Sequence, residues 1–253
     1  MGTDAHDQRV NATTSPMAAE SPRTALVTGA SRGIGLVIAA QFVRCNIRVA
    51  MLARSADVLA REASALGALA RPVAVDLRRA DDVQRAIADV DAWIGLPDVL
   101  VNCAGIFTLA RIGEGSTDDF ADSLVANLVA PFRLLHAYVP RMRTRGSGHI
   151  VSVGSVADRV AYPENAAYAA SKYGARAVHE VLREELRGTG VRVSLVSPGP
   201  VDTTLWDAID PDARAGFPKR HQMLSAVDVA DAVTWVVTRP ARVNIDELRL
   251  TNR

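Results

Sequence analysis

Two kinds of segment alternate along this chain. Short apolar runs occupy residues 24–28 (TALVT), 47–53 (IRVAMLA), 72–76 (PVAVD), 99–101 (VLV), 149–153 (HIVSV) and 191–196 (VRVSLV). Between them, apolar residues recur every three or four positions over 36–44, 57–66 and 81–93. A further periodic stretch starts at the capping pair Ser116-Thr117 and runs through Asn127 towards Pro131, where a second helix continues to Arg145. The short runs predict strands and the periodic stretches predict helices. Strands that are apolar at nearly every position are buried on both faces, which points to a parallel sheet with helices on either side.

Towards the C-terminal end the pattern changes. Residues 205–224 contain Trp206, Pro211, Gly216, Phe217 and Pro218 without a clear period, and a long irregular segment inside a compact fold reads as a lid. Ser225 with Asp228 predicts a capped helix to Thr238, and 244–250 (NIDELRL) predicts a final strand. No repeat of fixed period and no linker interrupts residues 23–253, so one domain is expected, with a substrate lid near 203–225.

In a parallel α/β sheet, ligands meet the carboxyl ends of the strands. The first strand ends in Gly29-Ala30-Ser31-Arg32-Gly33-Ile34-Gly35 and runs into a helix. Strand, glycine-rich turn and helix in that order suit a dinucleotide: the turn lets backbone approach a pyrophosphate, and the helix N-terminus faces its charge. The second strand ends at Ala53-Arg54, where an NAD site places an acid for the ribose 2′-hydroxyl. Arginine there, with Arg32 in the turn, favours the 2′-phosphate of NADP, unless both arginines merely solvate loops.

Asp76 and Asn102 stand at the ends of the third and fourth strands, either as ligand groups or as local turn formers. Asn127 lies among apolar neighbours, where a buried amide needs partners in nearby backbone or in a polar network; residue type alone favours the structural role. Ser155 follows the fifth strand. The next helix carries Tyr168 and Lys172, whose four-residue spacing puts both on one face. A phenol is a poor base at neutral pH, and a fixed cation beside it favours the phenolate, so that it can exchange a proton with a substrate oxygen. By itself the pair reads as a solvated helix face, where tyrosine and lysine at this spacing are common. Ile106, Phe107, Val160, Tyr162 and Trp206 either line a pocket for an apolar ligand or pack core and lid.

Composition narrows the function classes. Across 253 residues, 49% hydrophobic and 23% charged residues with a net charge of +1 describe an ordinary soluble globular chain, without a basic surface for nucleic acid. No run approaches the roughly eighteen apolar residues that a membrane span needs. Residues 1–22 are polar and small, lack a secretory pattern, and are expected to form a disordered tail. Cys45 and Cys103 have no metal-type spacing and are expected to be reduced, which suits a cytoplasmic protein.

Several pieces together resemble the short-chain dehydrogenase/reductase family: TGASRGIG (28–35), Asp76, NCAG (102–105), Asn127 in NLVAP, Ser155, YAASK (168–172) and SPGPVDT (197–203). The resemblance covers nearly everything from Thr24 onward. It implies a doubly wound Rossmann fold, an α/β parallel sheet of about seven strands, and NAD(P)-dependent interconversion of a carbonyl and an alcohol. Carried over by position, Tyr168 would donate or accept the proton at the substrate oxygen and Ser155 would hold that oxygen. Lys172 would bind the nicotinamide ribose and ease the ionisation of Tyr168. Asn127 would fix a water that relays protons to Lys172, a role that replaces the structural one.

For the cofactor, the resemblance assigns Gly29, Ser31, Arg32, Gly33, Ile34 and Gly35 to the diphosphate, Arg54 to the 2′-phosphate, and Asp76 with Leu77 to the adenine. Asn102 with Ala104 would meet the adenosine ribose, Gly105 would also contact the cofactor, and Pro198, Gly199, Val201 and Thr203 would meet the nicotinamide end. Two departures stand out. NCAG replaces the commoner NNAG, and residues 239–248 lack the glycine-rich tail of many members. That tail is more similar to NADP-dependent 3-hydroxy acid (serine-type) dehydrogenases and to clavulanate-type reductases.

The expected partners are NADP(H) and a small carbonyl or secondary alcohol, with no nucleic acid, no membrane and no metal. Assembly into a homodimer or homotetramer is expected from the family. A non-catalytic dinucleotide-binding sensor on the same fold is the alternative of a different class, and a lyase or epimerase with a bound cofactor is a third.

Overall fold

The computed structural model describes residues 23–252, so the expected tail over 1–22 lies outside the described residues. The first β-α-β-α-β run is β1 (Thr24–Thr28), α1 (Gly33–Arg44), β2 (Arg48–Ala53), α2 (Ala56–Leu66) and β3 (Ala70–Ala74). After it come α3 (Ala80–Ile94), β4 (Val99–Asn102), α4 (Thr117–Leu124), α5 (Ala130–Arg145), β5 (Gly148–Val153) and α6 (Ala166–Glu185). The chain ends with β6 (Val191–Pro198), β7 (Val201–Asp202), β8 (Leu224–Ser225), α7 (Ala226–Val237) and β9 (Glu247–Leu250).

Seven strands form one parallel sheet in the order β3-β2-β1-β4-β5-β6-β9. The order reverses between β1 and β4, the switch point at which a doubly wound sheet opens a crevice beyond its carboxyl edge. β1 shows how one strand serves two cores. Ala25 and Val27 face Ile38, Ala39 and Phe42 of α1 and Val229, Val233 and Val236 of α7. Leu26 faces the opposite layer, with Val83 and Val90 of α3 and Leu134 and Tyr138 of α5. Successive side chains point to opposite faces, so an unbroken apolar run fills both layers. Each fully buried side chain of this kind stabilises the fold by roughly 1.5–3 kcal/mol.

Three elements differ in detail from the sequence expectation. β3 ends at Ala74, and Pro72 is tolerated in it because β3 is an edge strand, where a missing N–H costs no ladder bond. The helix expected to break near Pro131 does not break: a π-helical turn, Val125–Val129, joins α4 to α5. Pro131 has no N–H to return to the carbonyl of Asn127, and a wider turn just before it accommodates the missing bond. The last strand starts at Glu247 because Asn244 is used otherwise: its side chain accepts from Val193 N–H at 3.1 Å and donates to Val193 O at 3.1 Å.

The irregular segment is pinned at its base. β7 and β8 pair with each other, so 203–223 forms a closed excursion above the carboxyl edge, with single 3-10 turns at Thr204–Trp206 and Arg220–Gln222. Ser225 caps α7 as expected: its hydroxyl accepts from Asp228 N–H at 3.2 Å, and Asp228 accepts from Ser225 N–H at 2.7 Å.

Candidate active site

A cleft of about 900 Å³ runs along the carboxyl edge of the sheet. Its floor is the glycine turn after β1. Gly29 has φ +69°, and a Cβ there would lie 2.9 Å from the Cα of Ala104; a Cβ on Gly35 would lie 2.4 Å from the Gly29 oxygen. Only glycine lets these segments close on one another. The first turn of α1 has neither a side-chain cap nor an acidic residue, so its backbone N–H groups and the positive end of its dipole face the cleft unneutralised. Thr28 holds the neighbouring strand end, its hydroxyl accepting from Cys103 N–H and Ala104 N–H at 2.9 Å each. This shape fits a dinucleotide diphosphate.

At the β2 and β3 end, Arg32, Arg54, Asp76, Leu77 and Arg78 line the cleft. Arg78 pairs with Asp76 at 2.8 Å and also donates to it from Nε at 3.0 Å. That hydrogen bond, aided by the charge of Arg54, holds the Asp76 carboxyl below the usual carboxylate range. Neither Arg32 nor Arg54 has an acid within ion-pair distance among the described residues. Two guanidinium groups thus remain for an anion, and Asp76, the one acid that lines this end of the cleft, is already paired. Sequence reasoning missed Arg78, although a basic residue two places beyond Asp76 at a strand end was a visible signal.

Further along, Ser155, Tyr168 and Lys172 line the same wall. Ser155 sits just past β5, where its hydroxyl accepts from Ala157 N–H at 3.1 Å and caps the 3-10 turn Val156–Asp158. Lys172 lies one turn after Tyr168 on α6; its Nζ donates to Val153 O at 3.2 Å and stands 5.5 Å from the centroid of the Tyr168 ring. Phe107 meets that ring edge to face, with centroids 4.8 Å apart. Pro198, Gly199, Val201 and Thr203 line the cleft from β6 and β7, as do Ser31, Gly33 and Ile34 from the glycine turn and Ala104 and Gly105 from the end of β4. Of the apolar candidates, Ile106, Phe107, Tyr162 and Trp206 line it; Val160 does not and is 41% exposed.

Two of the expected site residues lie elsewhere. Asn102 does not reach the cleft; it lines a small cavity of about 40 Å³ on the far side of Lys172, together with Asn127, Asp158 and His179. Side chains alternate along β4, so Cys103 faces the cleft and Asn102 faces away from it. Neither polar atom of the Asn102 side chain has a partner among the described residues, and the volume is enough for a water. Asn127, 3% exposed, acts from behind: it is bonded to Ile106 backbone and to Ser171 Oγ. Burial pushes the Cys103 thiol up to about 12 against the opposing charge of Lys172, which keeps it a neutral thiol at neutral pH.

Residues 23–214 match the family described as short chain dehydrogenase. A D-threitol dehydrogenase of Mycolicibacterium smegmatis is 39% identical over 198 residues, 76% of each chain. Among solved structures, an alcohol dehydrogenase from the archaeon Thermococcus sibiricus, complexed with 5-hydroxy-NADP, superposes with TM-score 0.81 at 30% identity over 90% of this chain and 95% of its own. A serine dehydrogenase complexed with NADP+, in its closed form, gives TM-score 0.82 at 29% identity over 89% of this chain and 93% of its own.

Proposed function

We propose that this chain, which belongs to the short-chain dehydrogenase/reductase family, is an NADP(H)-dependent oxidoreductase interconverting a carbonyl and a secondary alcohol. The observation that carries the proposal is the convergence of Ser155, Tyr168 and Lys172 on one wall of a cleft that begins at the uncapped N-terminus of α1. When bound, the nicotinamide supplies a hydride to the carbonyl carbon or removes one from the alcohol.

The protein's own residues do the rest. Ser155 holds the substrate oxygen by a hydrogen bond, and Tyr168 gives its hydroxyl proton to that oxygen in the reducing direction. The Lys172 ammonium stabilises the negative charge that develops on the phenol as the proton leaves. Tyr168 then regains a proton by way of Lys172 and water in the cavity beside Asn102 and Asn127. Oxidation runs through the same groups in reverse.

Arg32 and Arg54 favour a 2′-phosphate over a bare ribose, and the NADP complexes of two structural neighbours support that preference. The excursion 203–223 serves as the substrate lid of a single domain. A non-catalytic sensor would have no use for the complete Ser155, Tyr168 and Lys172 set. Exposed Phe120, Phe132, Tyr173 and Val181 on α4, α5 and α6 support assembly with a second copy, as a homodimer or as half of a homotetramer. Among the described residues no helix is long and apolar enough to cross a membrane, and two free cysteines suit the cytoplasm.

Titration with NADPH and NADH, followed by nicotinamide fluorescence, tests the cofactor assignment; a ketone and alcohol panel read at the nicotinamide absorbance tests the reaction. Tight NADPH binding with turnover of a carbonyl is expected. Binding without turnover across a broad panel would favour the sensor, and no binding would remove the dinucleotide reading.

A further inference from the structure

Beyond Tyr168 the cleft is walled by a row of rings. Phe107 meets Trp206 edge to face at 5.0 Å, and Trp206 meets Phe217 at 6.2 Å. The indole N–H of Trp206 donates to Val201 O at 3.0 Å, so its polar atom is already used within the protein. Three segments converge here: the loop after β4, the loop before α6 and the lid. A backbone bond from Ala110 N to Glu164 O at 2.8 Å ties the first two together.

Two charged side chains line this end of the cleft, Glu164 and Arg214. Arg214 Nη2 donates to Glu164 Oε2 at 2.5 Å, and the guanidinium lies 4.9 Å from the centroid of Phe217. Arg111 approaches Glu164 at 3.6 Å, but it is largely exposed and does not line the cleft. The other charged groups lining the cleft are Lys172 beside Tyr168 and those at the β2 and β3 end. Of the side chains that line it, the substrate end therefore carries one acid and one base, paired with each other. A substrate carboxylate docked there would face the Glu164 carboxylate and would have to take Arg214 from it, whereas a neutral apolar group meets only rings.

We infer that Glu164 determines substrate class: by holding Arg214 it keeps this end of the cleft neutral, so the enzyme takes uncharged carbonyl compounds bearing an aromatic or bulky apolar group and rejects the matching carboxylates. The inference rests on the oxidoreductase reading of the same site. Glu164 is a specificity residue in this account, acting through the guanidinium it occupies.

The test uses two probes that share a ketone and differ by one charge, ethyl benzoylacetate and benzoylacetate. Both are titrated by calorimetry into the NADP+-saturated protein, so the reading does not depend on turnover. The ester is expected to bind at least about tenfold more tightly than the acid, which is about 1.4 kcal/mol. Glu164→Gln keeps the shape and frees Arg214, so the acid should gain about tenfold relative to the ester while NADP+ affinity stays the same. Adding Arg214→Met to that variant should remove the gain. Equal binding of acid and ester by the wild type, or an acid-to-ester ratio unmoved by Glu164→Gln, would overturn the inference. So would failure of an NADP+-binding protein to bind either probe. Failure to bind NADP+ at all would instead strike the dinucleotide reading, and the two failures are thereby distinguished.

Discussion

Asn127 grips the backbone of Ile106 with both of its polar atoms: Oδ1 accepts from Ile106 N–H at 2.8 Å, and Nδ2 donates to Ile106 O at 3.0 Å. Nδ2 also donates to Ser171 Oγ at 3.0 Å, and that hydroxyl donates to Tyr168 O at 2.7 Å. One buried amide thus joins the loop after β4 to the helix turn that presents Tyr168 and Lys172. Gly105 permits the approach, since a Cβ there would stand 3.1 Å from Asn127 Oδ1.

Replacing Asn127 with leucine should therefore damage both stability and turnover. Ile106 would lose two partners in a part-buried setting, a cost of about 1–3 kcal/mol. Urea unfolding should show the loss, with turnover falling further than the unfolded fraction explains. A variant with an unchanged midpoint would refute the clasp.

Tyr168→Phe separates binding from chemistry. The ring keeps its contact with Phe107, so NADPH binding should be retained while turnover falls by roughly 10²–10⁴, the usual contribution of a positioned proton donor. Near-native rates in this variant would sink the proton-transfer assignment.

Arg54→Asp addresses cofactor choice. The substitution removes one of the two cleft-lining arginines without an acid partner and places a carboxylate where a ribose 2′-hydroxyl would be bound, so NADPH affinity should fall far more than NADH affinity. Fluorescence titrations with both cofactors give the ratio directly. Equal losses would undo the 2′-phosphate argument.

His149 predicts how stability depends on pH. It is 2% exposed, its Nε2 lies 2.8 Å from Ser194 Oγ, and burial lowers its pKa to about 3, with the charge of Arg192 acting in the same direction. In the unfolded chain the imidazole titrates near 6.5, so between these values the unfolded state binds the extra proton. The neutral imidazole's contribution is complete above about pH 6.5 and declines as pH falls towards 3, by up to about 1.4 kcal/mol per pH unit. Denaturant midpoints measured from pH 7.5 down to 4.5 should fall more steeply for the wild type than for His149→Asn. Parallel slopes would count against the buried histidine as the cause.

The sequence by itself determined the alternation of strands and helices, the glycine turn and the Tyr168–Lys172 spacing. Each is a local property: burial on two faces makes a strand apolar throughout, the close approach at Gly29 and Gly35 admits no side chain, and helical pitch alone puts residues four apart on one face. Every expected cleft residue except Asn102, Asn127 and Val160 lines one continuous surface, because strand ends in a parallel sheet share an edge. What only the tertiary structure decided is which distant groups meet. The direction of Asn102 depends on where β4 starts its alternation, and the π turn at 125–129 depends on packing that tolerates Pro131. The Arg214–Glu164 pair joins residues fifty positions apart across a cleft. Such pairings arise where the excursion between β7 and β8 packs against the loop before α6, and no period or spacing along the chain encodes them.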